Sequence, residues 1–89
     1  MVTAIILINV ERHKVNDIAD QLASMKEISE VYSVSGNYDL IAIVRVAHTD
    51  DLAELVTNHL LKIDGLEKTN TLLAFKAYSR HDLDAMFAL

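Results

Sequence analysis

The sequence contains no cysteine, no proline, no tryptophan and only two glycines among its 89 residues. Without cysteine, neither a disulfide framework nor a thiolate metal site can be built, which fits a reducing cytoplasm. Cations are also scarce, with eight Lys and Arg against thirteen Asp and Glu and a formal net charge of -5. Binding to a phosphate backbone requires clustered Lys and Arg, so direct contact with nucleic acid is not expected. The run from Val2 to Ile8 is too short to span a bilayer. No basic stretch precedes it and no small-residue cleavage site follows, so neither a leader peptide nor membrane contact is expected.

Hydrophobic residues make up 52% of the chain and aromatic residues 6%, which describes a folded domain with an aliphatic core. Residues 2 to 10 form a continuous β-branched run of strand length, apolar at adjacent positions, as expected of a strand covered on both faces. From Val15 to Met25, apolar residues at Val15, Ile18, Ala19, Leu22 and Met25 recur at helical spacing, with Asn16, Asp17, Asp20 and Gln21 on the other side. Val31 to Ser35 reads as an edge strand with interleaved serines, and the nearly all-aliphatic Leu40 to Val46 as a central one. Between them, Gly36-Asn37 is a two-residue connection suited to a tight β-hairpin, which would set Ser35 opposite Tyr38 and Val34 opposite Asp39. Thr49, Asp50 and Asp51 are cap and first-turn residues for a second helix carrying Leu52, Leu55, Val56, Leu60 and Ile63, which Lys62 and Gly65 close. A last strand is expected from Leu66 to Tyr78.

The order βαββαβ defines an α+β, ferredoxin-like sandwich: a four-stranded antiparallel sheet with strands one and three in the middle and two helices on one face. The other face would then present Ile and Val side chains to water. Each such side chain forgoes roughly 1.5–3 kcal/mol of burial, so a face-to-face homodimer is expected. The domain reading is residues 1–78 for the ferredoxin-like unit and 79–89 for a short C-terminal helix. In that tail Ser79 is the cap and Leu83, Met86 and Phe87 form a stripe that packs on a neighbouring subunit.

His13, His48, His59 and His81 lack the spacing of a metal motif, and Arg80-His81-Asp82 reads as capping or subunit contact rather than a catalytic trio. No nucleophile and base pair, phosphate loop or dinucleotide fingerprint is present, so neither a metal nor a cofactor is expected and the chain does not read as an enzyme. Two polar features remain. Asp39 lies at the rim of the glycine turn, whose amides are accessible, while Thr69 and Thr71, two apart on a strand, aim their hydroxyls the same way. A carboxylate, exposed amides and two hydroxyls are the groups that recognise a free amino acid. The same residues also serve a plain structural purpose, Gly36, Asn37 and Asp39 as turn formers and the threonines as strand formers.

Val31-Tyr32-Ser33-Val34-Ser35-Gly36-Asn37-Tyr38-Asp39-Leu40, followed after Gly65-Leu66 by Thr69-Asn70-Thr71, resembles the effector-binding (RAM, ACT-like) domain of Lrp/AsnC transcriptional regulators. The resemblance spans nearly the whole chain in order. It implies dimerisation through the sheets, assembly of dimers into a higher oligomer, and a small effector, usually an amino acid, held between dimers. Gly36, Tyr38, Asp39, Thr69 and Thr71 are then implied to lie in or near the effector pocket. Full-length members carry an N-terminal helix-turn-helix, whereas this sequence starts at the first strand, so the resemblance implies a stand-alone form. Such a form can co-assemble with a full-length regulator. Two other readings stay open: a small dimeric ferredoxin-like enzyme with a titratable group inside the sheet layer, and an adaptor that assembles without binding any ligand.

Overall fold

Strand β1 (Val2–Val10) sets the layering of the fold. Its residues alternate between buried Ala4, Ile6, Ile8 and Val10 and partly exposed Thr3, Ile5, Leu7 and Asn9. The first set points to the helices and the second to a face that no described element covers. In the computed structural model, which describes residues 1–78 and Arg80, β1 is followed by a 3₁₀ turn (Arg12–Lys14) and helix α1 (Val15–Ala23). Strands β2 (Ile28–Ser33) and β3 (Leu40–Val46), a second helical stretch and β4 (Leu66–Leu73) complete it. The tail expected to form a helix, beginning at Ser79, lies outside the described residues apart from Arg80.

The sheet order is β2-β3-β1-β4, antiparallel throughout, with the two most aliphatic strands in the middle. This is the ferredoxin-like architecture expected from the pattern. Strand β3 repeats the alternation, burying Leu40, Ala42, Val44 and Val46 while Ile41, Ile43 and Arg45 face the open side. The expectation of β1 as a strand covered on both faces is therefore corrected for the single chain: one face is sealed and the other is only half covered.

Helix α1 seals the sheet with Ile18 and Leu22, one turn apart and both fully buried. It stops at Ala23. The Ser24 N–H bonds back to Asp20 O, and its hydroxyl donates to Gln21 O at 2.6 Å, which ends the ladder before Met25.

The second helical stretch is not uniform. An α-helical segment α2 (Thr49–Glu54) gives way to a π-helical turn (Leu55–His59) and then to a 3₁₀ turn (Leu60–Lys62). The reason lies in two leucines. Leu55 and Leu60 are five apart, about 140° out of phase on a regular α-helix, yet both are fully buried. The Leu60 N–H bonds to Leu55 O, the i to i+5 bond that brings both onto the sheet-facing side. The N-cap also differs from expectation. His48 occupies it in extended conformation, and its N–H donates to the Asp51 carboxylate at 3.1 Å, so Thr49 already belongs to the helix.

Strand β2 starts three residues earlier than the serine pattern suggests and ends at Ser33. A register shift between Ile28 and Glu30 blunts this edge. Strand β4 stops at Leu73, with one more ladder bond from Ala74 N–H to Thr3 O, and the backbone from Phe75 to Tyr78 leaves the sheet.

Candidate functional site

The end of the sheet where β1 finishes and β3 begins gathers three connections. These are residues 34–39, the turn after β1, and the Ile63 to Gly65 turn before β4. The tight hairpin expected at Gly36-Asn37 does not form as such. The β2–β3 ladder ends at the Ser33–Leu40 pair, and six residues make the connection. Val34 does face Asp39, its N–H donating to Asp39 O at 3.0 Å, but no strand pairing joins Ser35 to Tyr38.

Asp39 causes the departure. Its N–H turns away from β2 and donates to Ile8 O at 2.9 Å, although Ile8 already faces Leu40. Two successive residues thus oppose one, a bulge that ends regular pairing. Val10, the next β1 residue on that side, would then lack an acceptor. The Asp39 carboxylate supplies one, with Oδ2 2.9 Å from the Val10 nitrogen in a part-buried position. This side chain stands in for the missing strand carbonyl. Beside it, the Asn9 side-chain amide donates to Asn37 O at 2.9 Å.

Gly36 is exposed with φ +103°, and nothing lies within 4 Å of where a Cβ would be. It serves backbone conformation rather than packing. Tyr38 is half-buried. Thr69 and Thr71 pair across β1 with Ile8 and Ile6, so both point to the helix-covered side, where they are half-buried at the β4 edge. Thr69 therefore lies at the same level as Leu40, on the far side of β1, about 10 Å away at the usual strand spacing. Within one chain the loop residues come together with each other, and the threonines form a second group one strand removed. Among the described residues no hydrogen bond joins the two groups.

Sequence reasoning missed Asn9 and Val10. A signal was present in Asn9, the one strongly polar side chain in the run from Ala4 to Val10. The same end carries a latch between the connections: Glu11 N–H donates to Gly65 O at 2.8 Å, and Lys14 Nζ lies 2.6 Å from Asp64 Oδ2 and 3.7 Å from Glu11 Oε2. The hydrogen bond from Lys14 holds the Asp64 carboxyl below the usual carboxylate range, and Asp64 in turn raises the Lys14 ammonium.

At the opposite end lies an open depression of about 450 Å³, whose charged lining is Lys26, Glu27, Arg45, Asp51 and Glu54. On the open face, the Tyr32 hydroxyl donates to Glu30, which raises the phenol above its ordinary value. Among the described residues no polar or charged side chain is buried, and no three His, Cys, Asp or Glu residues come together as a metal site. No described helix is long and apolar enough to cross a membrane.

The open ferredoxin-like sheet is a fold shared with solved transcriptional regulators. The family model described as the Lrp/AsnC ligand binding domain matches residues 3–83. The chain belongs to that family. An HTH-type transcriptional regulator of Pyrococcus horikoshii is 41% identical over 69 residues, covering 78% of this chain and 46% of the regulator. The chain spans about half the length of the curated relatives it matches. A crystal structure of a Thermus thermophilus protein is 42% identical, with a TM-score of 0.85, covering 90% of this chain and 100% of that one. A Neisseria meningitidis transcriptional regulator solved as an L-Met complex shares the fold alone, with a TM-score of 0.76 at 14% identity over 96% of this chain and 58% of that one.

Proposed function

We propose that the chain is an amino-acid-sensing and oligomerisation module of a transcription-regulatory system. Two copies pack open sheet face on open sheet face, and dimers assemble further with a small effector between them. The observation that carries this reading is the sheet face that no described element covers. Ile5 and Leu7 of β1 and Ile41 and Ile43 of β3 line its centre half-buried, and Tyr32 and Leu72 flank them at 49% and 45% exposure. A contiguous aliphatic surface of this kind is the mark of an interface. The family's description as a ligand binding domain supports the effector half, as does the L-Met bound by the Neisseria regulator of like fold.

Gly36, Tyr38 and Asp39 form one wall of the proposed pocket. Thr69 and Thr71 of the same chain stand one strand away, so a neighbouring subunit is needed to close the pocket against either group. The regulatory output passes through assembly with a DNA-binding regulator of the same family. An effector a hundredfold above its dissociation constant would favour the liganded assembly by about 2.7 kcal/mol, sufficient to switch an oligomer.

The test is sedimentation equilibrium of the wild type and of Ile41→Asp, with calorimetric titration of each of the twenty amino acids. The wild type sediments as a dimer or larger, Ile41→Asp shifts toward monomer with unchanged circular dichroism, and at least one amino acid binds the wild type. A monomeric wild type ends the packing reading. Absence of binding by all twenty, with protein first unfolded and refolded to strip any carried ligand, ends the sensing reading and leaves the ligand-free adaptor.

A further inference from the structure

We propose that Asn9 is a positioning residue for the 34–39 loop and, through it, sets how tightly that loop holds an effector. The ligand half of this inference rests on the sensing reading above; the positioning half rests on geometry alone. Four hydrogen bonds described above fasten the loop. Three meet at its C-terminal end, on Asp39: Val34 N–H to Asp39 O, Asp39 N–H to Ile8 O, and Val10 N–H to Asp39 Oδ2. The fourth, from Asn9 Nδ2 to Asn37 O, is the one that reaches the tip among the described residues.

The tip has little else to hold it. Ser35, Gly36 and Asn37 are exposed, and no apolar side chain lies within 4 Å of a Cβ built on Gly36. The N–H groups of Ser35, Gly36, Asn37 and Tyr38 find no acceptor among the described residues. They are the donors a carboxylate-bearing ligand would meet, and one of them, the Tyr38 N–H, shares its peptide plane with the Asn37 carbonyl and points the opposite way. Anchoring that carbonyl to β1 orients the plane before any ligand arrives, which lowers the ordering cost of binding.

The placement of Asn9 is set by the strand. Asn9 pairs with Lys68 of β4, and beyond it the register slips so that Val10 faces Leu66. Such a slip bends a strand and re-aims its side chains. Asn9 therefore stands at the last regular pair of β1 with β4, while its side chain reaches toward the opposite neighbour. It joins the end of β1 to a residue 28 positions away, and Val10 next to it makes a second tie across 29. The two adjacent ties act as a brace: one fixes the tip and the other fixes the base.

The test uses the full chain with Asn9→Ala, Asn9→Asp and Asn9→Gln. Amide exchange by NMR is read at Val10, Val34 and Asp39, with Ile6 and Val44 in the sheet centre as internal controls. Each of the twenty amino acids is titrated by calorimetry. Loss of the tie at the tip loosens the Asp39 bonds at the base, so exchange at Val10, Val34 and Asp39 speeds about fivefold in Asn9→Ala. Asn9→Asp, which sets an acceptor against the Asn37 carbonyl, does so at least as much. Asn9→Gln, which keeps the donor, restores slow exchange. Any amino acid that binds the wild type binds Asn9→Ala several-fold more weakly and Asn9→Gln nearly normally.

Unchanged exchange at the three amides overturns the proposal. So does an equal rise at Ile6 and Val44, which marks general destabilisation, or faster loop exchange with undiminished affinity. If the wild type binds none of the twenty, the sensing reading falls, and exchange alone decides whether Asn9 positions the loop.

Discussion

Truncating the Asp39 side chain to a methyl group leaves the Val10 N–H without its acceptor in a part-buried position. Asp39→Ala is expected to cost about 1–3 kcal/mol in urea unfolding, and Asp39→Asn clearly less, because an amide oxygen still accepts. Loss of ligand binding in Asp39→Ala would accordingly not show by itself that the carboxylate touches the ligand; Asp39→Asn separates the two roles. The sequence marks Asp39 through its place after Gly-Asn, but nothing near it names Val10, since that contact depends on a bulge and on a strand 29 positions away. The Lys14 and Asp64 pair gives a pH signature. The Asp64 carboxyl is lowered in the fold, so its contribution is present above the unfolded carboxyl's pKa and is lost as pH falls through the folded value. The Lys14 ammonium is raised, so the same interaction is lost again as pH rises through its folded value. The stability difference between wild type and Asp64→Asn should therefore hold through neutral pH and fade in acid. Asp64 is almost fully exposed and Lys14 partly so, and added salt should therefore shrink it as well.

Among the elements, the second helical stretch departs furthest from its pattern. Its apolar positions were legible, as was its closure near Lys62 and Gly65. The mixed backbone was not, because periodicity reports which residues are apolar and leaves the winding of the chain between them undetermined. Leu55 and Leu60 five apart contain the hint, since a regular helix cannot bury both. Removing exposed Asn58 would make them four apart, on one face of an ordinary α-helix. The deletion should fold with a midpoint close to that of the wild type and at least equal helicity by circular dichroism, whereas inserting an alanine there should lower the midpoint clearly. Gly65 shows a second local constraint. With φ +93° and a built Cβ only 2.5 Å from Lys14 Cδ, Gly65→Ala meets both backbone strain and an anchored side chain. It should destabilise by at least about 1–2 kcal/mol in chemical denaturation, the usual cost of a left-handed non-glycine residue.

For the whole molecule, strand order and layer composition could be read from the sequence because β1 and β3 are nearly all aliphatic and only central strands tolerate that. How loop and threonines stand to each other could not, because pairing between strands at opposite ends of the chain decides it. A truncating core substitution tests the shared core directly. Leu22→Ala, at a fully buried site between α1 and the sheet, should cost about 2–5 kcal/mol in urea unfolding.

The position of β1 at the centre, with β4 as its second neighbour, also bears on the order of synthesis. Of the four strands, Val2–Val10 is made first and Leu66–Leu73 last, yet the two must pair, with Ala4 against Leu73. Until the final strand leaves the ribosome, β1 has one unfilled edge, and its most aliphatic stretch is open to wrong partners. A nascent chain arrested before Gly65 should thus be a target for chaperones, and one released beyond Leu73 should not.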